Sequence, residues 1–197
     1  MNTLSKVGLG IVAIVAAAFT GQLEDGNYSV NLKESKVEWV GKKVTGQHTG
    51  TIDIKSGDLI IKDGKLSGGE FIIDMTSLTS TDLSGEYLQK LNGHLKSDDF
   101  FGVEKYPEAK FVIKKVKADD KNGSFEVTGD LTIKSTTKPI SFKAQLVNSA
   151  EGIVAVADIV VDRSVYDVRY GSGSFFDNLG DKTIYDDFTL SVKLVTK

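Results

Sequence analysis

A strict alternation of apolar and polar residues is the feature that most limits how this chain can fold. In the segment 138–147 every second residue from Ile140 to Leu146 is apolar, and the segment 186–196 repeats the pattern. Because successive side chains of a strand point to opposite faces, this period of two predicts strands with one buried and one wet face. The predicted strands cover residues 28–32, 36–44, 50–55, 58–62, 65–74, 109–118, 124–133, 138–147, 153–162 and 186–196, and some of the shorter ones are expected to fuse into one bent strand.

Two segments, 76–106 and 163–185, interrupt the alternation. In the first, leucine and tyrosine residues recur at spacings of three and four, which predicts a short amphipathic helix with Ser84 as its N-cap and Gly93 as its break. The second is rich in glycine and phenylalanine, and we expect a long ordered loop with one turn of helix. Loops of this length in a compact domain are usually functional.

Many strands joined by hairpins within one chain of 197 residues predict a single all-β domain, either a sandwich or a closed barrel. Eight strands are about the number that can enclose one small ligand. A barrel of this kind can be solid, or it can hold an elongated apolar molecule. The alternation does not choose between these two options.

The N-terminal segment, residues 1–18, is typical of a secretory signal peptide. Lys6 supplies a positive start, an apolar run follows, and Ala16 and Ala18 form a small-residue cleavage pattern. The run is shorter than the roughly 20 apolar residues of a membrane span. We therefore expect an exported protein whose folded part is a single domain, residues 19–197, with no stable membrane span in the mature form. The alternative is an uncleaved N-terminal anchor.

Composition excludes several classes of site. The chain has no cysteine, so it forms no disulfide, thiolate metal site or cysteine nucleophile. It has two histidines, too few for a three-histidine metal site within one chain. The net charge of −3 argues against a nucleic-acid partner. No G-x-S-x-G, P-loop or H-E-x-x-H motif occurs, so we expect no enzymatic activity, no metal and no cofactor.

Five short motifs occur in a fixed order along the chain. Residues 73–78 read IDMTSL, 94–101 read HLKSDDFF, 105–111 read KYPEAKF, 128–133 read TGDLTI and 137–140 read TKPI. This ordered set resembles the YceI-like family, also called the polyisoprenoid-binding or lipocalin-like family. The resemblance covers the chain from Tyr28 to Val195.

The resemblance implies an elongated antiparallel β-barrel that is exported and carries a long isoprenoid, such as a quinone or a polyprenyl phosphate, in an apolar tunnel. It implies no cofactor other than that bound lipid. The chain departs from the family pattern at several places. Where many members carry a histidine early in the second strand, residues 42–45 read KKVT, so His48 does not inherit that role. Ser135 replaces a glycine that is usual in the family. The usual Asp-x-His-Leu sequence appears here as Asn92-Gly93-His94-Leu95.

The inward face of the barrel supplies the candidate ligand-binding residues. In a soluble barrel the apolar half of the alternation lies inside. For each residue the alternative is ordinary core packing. The candidates are Val37, Trp39, Ile52, Ile54, Phe71, Ile73, Phe111, Ile113, Phe142, Leu146, Leu190 and Val192.

Arginine occurs only at Arg163 and Arg169, which flank Tyr166. The planar guanidinium suits phosphates and carboxylates, so one hypothesis is a polar rim that holds a ligand head group. Tyr166 would then be a rim donor, or it packs the loop. The alternative for the arginines is a structural ion pair that pins the long loop, with one of three nearby carboxylates: Asp162, Asp167 or Asp177.

His94 lies between the predicted helix and Asp98-Asp99. It is a candidate contact for the ligand head group. Equally, it is a helix-end residue satisfied by backbone or by Asp98.

Together these observations predict an exported, periplasmic or secreted binding protein that sequesters or carries a polyisoprenoid or a similar long-chain amphiphile. The competing hypothesis is a non-enzymatic interaction module with a solid barrel core, whose loops dock a protein. An exposed aromatic patch around Tyr166, Tyr170, Phe175 and Phe176 would favour this second hypothesis, and a continuous interior cavity would disfavour it. The sequence leaves the oligomeric state open, because edge strands can pair across a homodimer.

Overall fold

The computed structural model describes residues 23–119, 124–149 and 152–197, so the predicted signal peptide lies outside the described residues. Within them the chain forms nine strands, one α-helix and two short 3-10 turns, the latter at Ser164–Tyr166 and Gly180–Lys182. The strands and the helix are β1 (Gly26–Ser29), β2 (Lys36–Lys43), β3 (Gly46–Lys62), β4 (Lys65–Ser80), α1 (Gly85–Lys96), β5 (Glu108–Asp119), β6 (Ser124–Ile133), β7 (Thr136–Ser149), β8 (Gly152–Asp162) and β9 (Ile184–Val195).

Strands β2 to β9 form a closed antiparallel barrel. Each strand pairs with the next, and β9 returns to pair with β2, with Leu190 opposite Trp39. Strand β1 lies outside this ring and pairs with the second half of β3, where Tyr28 faces Leu59. The first half of β3 pairs with β2. The predicted all-β barrel with one helical insertion and a long ordered loop is confirmed, and the sandwich option is excluded.

The predicted strand segments 50–55 and 58–62 are one strand, β3. Its pairing with β4 shifts register at three places, and such irregularities bend a strand without ending it. Strand β4 continues to Ser80, beyond its predicted end at residue 74, because its pairing with β3 extends to Ser80 opposite Gly50.

The predicted helix is present as α1, but its details differ from the prediction. Gly93 was expected to break the helix and instead lies inside it, since the helix runs on to Lys96. Ser84 occupies the N-cap position without a side-chain capping hydrogen bond. No residue of α1 is fully buried, and the helix is fastened to β4 by Asn92, whose side chain accepts from the Ser80 N–H at 2.9 Å and donates to Thr79 Oγ1 at 2.9 Å.

Large aromatic side chains of the barrel wall lie over glycines. A Cβ atom added to Gly50 would come within 2.3 Å of the ring of Trp39, and one added to Gly129 would come within 2.5 Å of the ring of Phe111. Each ring therefore packs flat against the backbone of a neighbouring strand instead of crossing the barrel. This arrangement lets the wall be aromatic while the interior stays open.

Candidate functional site

An elongated cavity of about 280 Å³ runs inside the barrel. All eight strands of the ring contribute to its wall. Along β9 the lining residues extend from Ile184 to Leu194, a span of roughly 30 Å at the usual rise of about 3.3 Å per residue. The space is long and narrow, and its shape fits an extended chain better than a compact molecule.

Every residue that the alternation predicted to face inward lies on the wall of this cavity. Phe111 and Phe142 meet there with ring centroids 5.5 Å apart. The indole N–H of Trp39, which needs a partner once buried, donates to the Thr51 carbonyl oxygen at 3.2 Å. It is thus satisfied within the wall. The full set is Val37, Trp39, Ile52, Ile54, Phe71, Ile73, Phe111, Ile113, Phe142, Leu146, Leu190 and Val192.

Lysine, arginine and histidine side chains line the cavity only at the end where α1 lies. They are Lys42, Lys43, His48, His94 and Arg163. No aspartate or glutamate is among the described lining residues. Lys42 and Lys43 are exposed to solvent, so the cavity meets the surface beside the β2–β3 hairpin, and we call this opening the mouth.

Arg163 is buried at this end, with only 2% of its surface exposed. Its guanidinium donates to the carbonyl oxygens of Val168 at 2.7 Å, Ile184 at 3.0 Å and Tyr185 at 3.2 Å. Nη2 also lies 3.4 Å from Asp186 Oδ1. Burial lowers the pKa of Arg163 from its usual value, against the neighbouring carboxylates of Asp186 and Asp162, which raise it. The side chain ties the start of the long loop to β9.

The partner of Arg163 differs from the sequence expectation, which named Asp162, Asp167 and Asp177. The carboxylate beside it is Asp186, on β9, which the strand pairing brings next to the end of β8. The guanidinium also lies over the ring of Phe100, with its carbon 5.2 Å from the ring centroid.

Tyr166 and Arg169 do not line the cavity, in contrast to the hypothesis of one polar rim. Tyr166 is 1% exposed, and burial, with a contribution from Asp162, raises its pKa to about 12. Arg169 is exposed and pairs with Asp167 at 2.5 Å, as the structural alternative expected. Its guanidinium packs over Phe175. The reason is local: a tight turn with Asp167 in the left-handed region separates Arg169 from the end of β8.

His94 lies on the cavity wall and packs edge-on against two aromatic rings. Its ring centroid is 4.4 Å from that of Tyr170 and 5.6 Å from that of Phe100. Its Nε2 atom is buried without a hydrogen-bond partner. Contact with a ligand head group therefore stays a prediction for His94, while the expected partner Asp98 pairs with Lys105 instead.

The comparisons with known proteins agree with this architecture. The family model for the YceI-like domain matches residues 28–196. The chain belongs to the YceI-like family. A UPF0312 protein of Vibrio parahaemolyticus is 31% identical to it over 155 residues, which are 75% of each chain.

Two solved structures share the YceI-like fold. BcnA of Burkholderia cenocepacia superposes with a TM-score of 0.70 at 23% identity, covering 85% of this chain and 99% of that one. A polyisoprenoid binding domain from Saccharophagus degradans, implicated in plant cell wall breakdown, superposes with a TM-score of 0.64 at 16% identity, covering 88% and 99%. At these identities the likeness shows the fold.

Sequence reasoning missed two features at the mouth of this YceI-like barrel. The first is Lys43, which continues the inward row of β2 formed by Val37, Trp39 and Gly41. The same alternation that predicted the apolar wall could have placed Lys43 at its end. Lys42, its neighbour, also lines the mouth.

The second missed feature is a polar cluster around Asp82. Its carboxylate accepts from the Thr49 N–H at 3.0 Å and the Ser80 hydroxyl at 2.7 Å, and it lies 2.8 Å from His48 Nδ1. Partial burial acts to raise the pKa of Asp82, but these hydrogen bonds outweigh it and lower the pKa to about 2. The cluster joins β3 to the segment that leads into α1. No sequence spacing indicates this contact, because it depends on the register of β3 against β4.

Proposed function

We propose that this protein binds a polyisoprenoid, or a similar long-chain amphiphile such as a quinone or a polyprenyl phosphate, in the apolar cavity of its barrel. The observation that carries the proposal is the cavity itself, which is elongated, lined by apolar side chains from all eight strands and open at a charged mouth. The polyisoprenoid binding domain that shares the fold supports it.

Burial of the tail supplies the driving force in this proposal. Each CH₂ group moved from water into an apolar site contributes about 0.8 kcal/mol. Ten such carbons would contribute about 8 kcal/mol before the entropic cost of association. Binding of this kind needs length and apolar surface more than it needs directed polar contacts. It favours a role in sequestering or carrying the amphiphile over a role in catalysis.

The proposal places the protein outside the cytoplasm, in the periplasm or the medium. Support comes from the signal-peptide pattern of residues 1–18. Among the described residues, no helix has the length and hydrophobicity that crossing a bilayer requires.

Mass spectrometry of organic extracts tests the proposal. The protein is purified without detergent from a bacterium that exports it, alongside Phe142→Asp and Val160→Asp. Phe142 faces the cavity, whereas Val160 is 61% exposed on the outer face of β8. A charge at residue 142 would stand in the path of the tail, and the same charge at residue 160 would not.

We expect a stoichiometric prenyl lipid in the wild type and in Val160→Asp, and its loss from Phe142→Asp. Circular dichroism of each variant checks that the barrel is folded. Absence of any lipid from the wild type, together with failure of the delipidated protein to bind added quinones and polyprenyl phosphates, would reject the proposal.

One observation favours the second candidate, an interaction module. Tyr170, Phe175 and Phe176 expose 47%, 41% and 50% of their surfaces in the long loop. Tyr166, which this hypothesis places in the patch, is buried and does not belong to it. The interior cavity counts against the solid core that this candidate requires. Sedimentation of the pure protein would test whether this patch joins two copies of the chain, in which case Phe176→Ser should dissociate the dimer.

A further inference from the structure

The mouth of the cavity carries positive charge without compensation from acidic lining residues. Three lysine or arginine side chains line the cavity, and no aspartate or glutamate does so among the described residues. The whole protein has more acidic than basic residues, 27 against 24. The cationic lining is therefore a local property of this site and not a reflection of overall composition. Positive charge around the opening of a cavity attracts anions when no acidic group of the lining offsets it.

Arg163 is not the cation that a ligand would use. Its N–H groups already donate to three backbone carbonyls, and Asp186 lies beside it. Phe100 covers the guanidinium. Because Asp186 already offsets its charge, a second anion would gain less from Arg163 than from a cation without a carboxylate beside it.

His48 also has a carboxylate partner, because its Nδ1 lies 2.8 Å from Asp82.

Lys43, unlike Arg163 and His48, has no such partner within the part of the chain that the structure describes. It stands at the end of the inward row of β2, it is exposed, and no carboxylate of the described residues lies within 4.0 Å of its ammonium group. Lys42 precedes it outside that row, but it also lines the mouth, is exposed and has no carboxylate of the described residues within 4.0 Å.

We propose that Lys43, assisted by Lys42, selects a ligand with an anionic head group, a phosphate or a carboxylate, at the mouth of the cavity. This inference rests on the proposed function and narrows its ligand class. The tail lies along the apolar wall, and the head stays at the surface, where its charge remains partly hydrated. A neutral head such as a quinone ring can accept a hydrogen bond from a lysine but gains no charge–charge attraction.

Three probes with the same tail test the inference: geranylgeranyl phosphate, geranylgeraniol and geranylgeranylamine. The single tryptophan of the chain, Trp39, lies in the cavity wall, so its fluorescence reports entry of the tail whatever the head. The delipidated full chain is titrated with each probe at low and at high salt. Inorganic phosphate alone is titrated in parallel and also added as a competitor.

We expect the wild type to bind the phosphate about fivefold more tightly than the alcohol, and the amine more weakly than the alcohol. The preference should shrink at high salt, because the charges at the mouth are exposed. Lys43→Gln should remove most of the preference and Lys42→Gln a smaller part. Neither substitution should alter the affinity for geranylgeraniol. Inorganic phosphate at about millimolar concentration should neither bind measurably nor displace the lipid, since it lacks the tail.

Lys193→Gln is the matched control, since it removes the same charge from the outer face of β9 and should leave the preference intact. Equal affinity for the phosphate and the alcohol, or an unchanged preference in Lys43→Gln, would overturn the inference and leave the proposed function standing. Tight binding of inorganic phosphate that depends on Lys43 would overturn the assignment to a lipid head. Failure of all three probes to bind would reject the proposed function and this inference with it.

Discussion

The two ends of the barrel are held together by different forces. At the end opposite α1, which we call the closed end, Val30, Ile61, Ile153 and Val195 each expose 4% or less of their surface, and none of them lines the cavity. Val30, Ile61 and Ile153 belong to the buried apolar core of the barrel, and Val195 is buried at the end of β9. The interior is therefore sealed there by apolar side chains in close contact.

Backbone pairing completes the closed end. The N–H of Ile153 donates to Thr196 Oγ1 at 3.0 Å, and the N–H of Thr196 donates back to the Ile153 carbonyl at 3.0 Å. An isolated bridge joins Val30 to Thr196, and the N–H of Asn31 donates to the Val195 carbonyl at 2.7 Å. The chain segments before β2 and after β9 are thus fixed to each other.

The mouth is built from polar contacts between separate segments. Asp82 joins the approach to α1 to β3, Asn92 joins α1 to β4, and Arg163 joins the long loop to β9. Helix α1 itself contributes no fully buried residue. These directed hydrogen bonds add to the apolar packing of the loop segments, in which Tyr166 and Val168 are buried.

The difference explains how one barrel can be stable and still admit a ligand. Apolar packing is strong in sum and closes space, whereas a few directed contacts can hold an opening without filling it. The closed end should therefore set much of the stability, and the mouth should respond to single polar substitutions and to pH.

The largest effect should come from Arg163→Ala. Its removal leaves the carbonyls of Val168, Ile184 and Tyr185 without their donor and Asp186 without its counter-charge. Breaking a buried, hydrogen-bonded charge pair typically costs about 3–5 kcal/mol. We expect a loss of this size in the free energy of unfolding, measured with urea.

Arg169→Ala is the natural control, because Arg169 is the other arginine of the chain and its ion pair with Asp167 is exposed. Its loss should cost at most about 1 kcal/mol. Comparable losses in the two variants would contradict the view that the buried contacts of Arg163 hold the long loop at the mouth.

A second prediction compares two isoleucines. Ile61 is 1% exposed at the closed end, and Ile159 is half-buried on the cavity wall. Ile61→Ala opens a new void in close-packed surroundings and should cost about 2–4 kcal/mol. Ile159→Ala enlarges a space that already exists, so it loses fewer contacts and should cost about 1–2 kcal/mol.

Urea unfolding of the delipidated proteins measures both values. The experiment uses delipidated protein because a bound tail would itself contact Ile159. Equal losses in the free energy of unfolding for the two variants would mean that the cavity wall is as tightly packed as the closed end, which would contradict the difference drawn here between the two regions.

The alternation of the strands was enough to predict the barrel and its apolar wall. The pattern from Ile140 to Leu146 has one physical cause, burial of one face, and that cause operates in the same way throughout the ring. Closure into a ring was not decided by periodicity, because a sandwich buries one face of each strand as well. It was the family resemblance that favoured a barrel.

The polar contacts of the mouth could not be predicted in the same way. Arg163 meets Asp186 because β8 and β9 pair along their length, and Asp82 meets His48 because β4 runs farther than its alternation indicated. Each contact depends on the register between strands, which no single segment encodes. The prediction that Gly93 ends the helix was wrong for a related reason. The hydrogen bonds of Asn92 hold α1 against β4, and this tertiary contact outweighs the weak helix propensity of one glycine.

The smallest predicted effect concerns Asp82 and pH. The hydrogen bonds from Thr49, His48 and Ser80 hold its pKa at about 2 in the folded protein, below the usual value of 3.8. A carboxylate with a depressed folded pKa stabilises the protein above its unfolded pKa, and this contribution is lost as pH falls from about 4 to about 2. The side chain is 31% exposed, so we expect the carboxylate to contribute about 1 kcal/mol to the free energy of unfolding after screening by solvent. Near neutral pH, the free energy of unfolding in urea should be larger for the wild type than for Asp82→Asn by this amount. Near pH 2 the two free energies should converge.

Asp177→Asn, which removes an exposed carboxylate of the long loop, is the control, and its free energy of unfolding should equal that of the wild type at both pH values. A gap between wild type and Asp82→Asn that persisted at pH 2 would mean that the residue acts through packing, and the mouth would then differ less from the closed end than its contacts indicate.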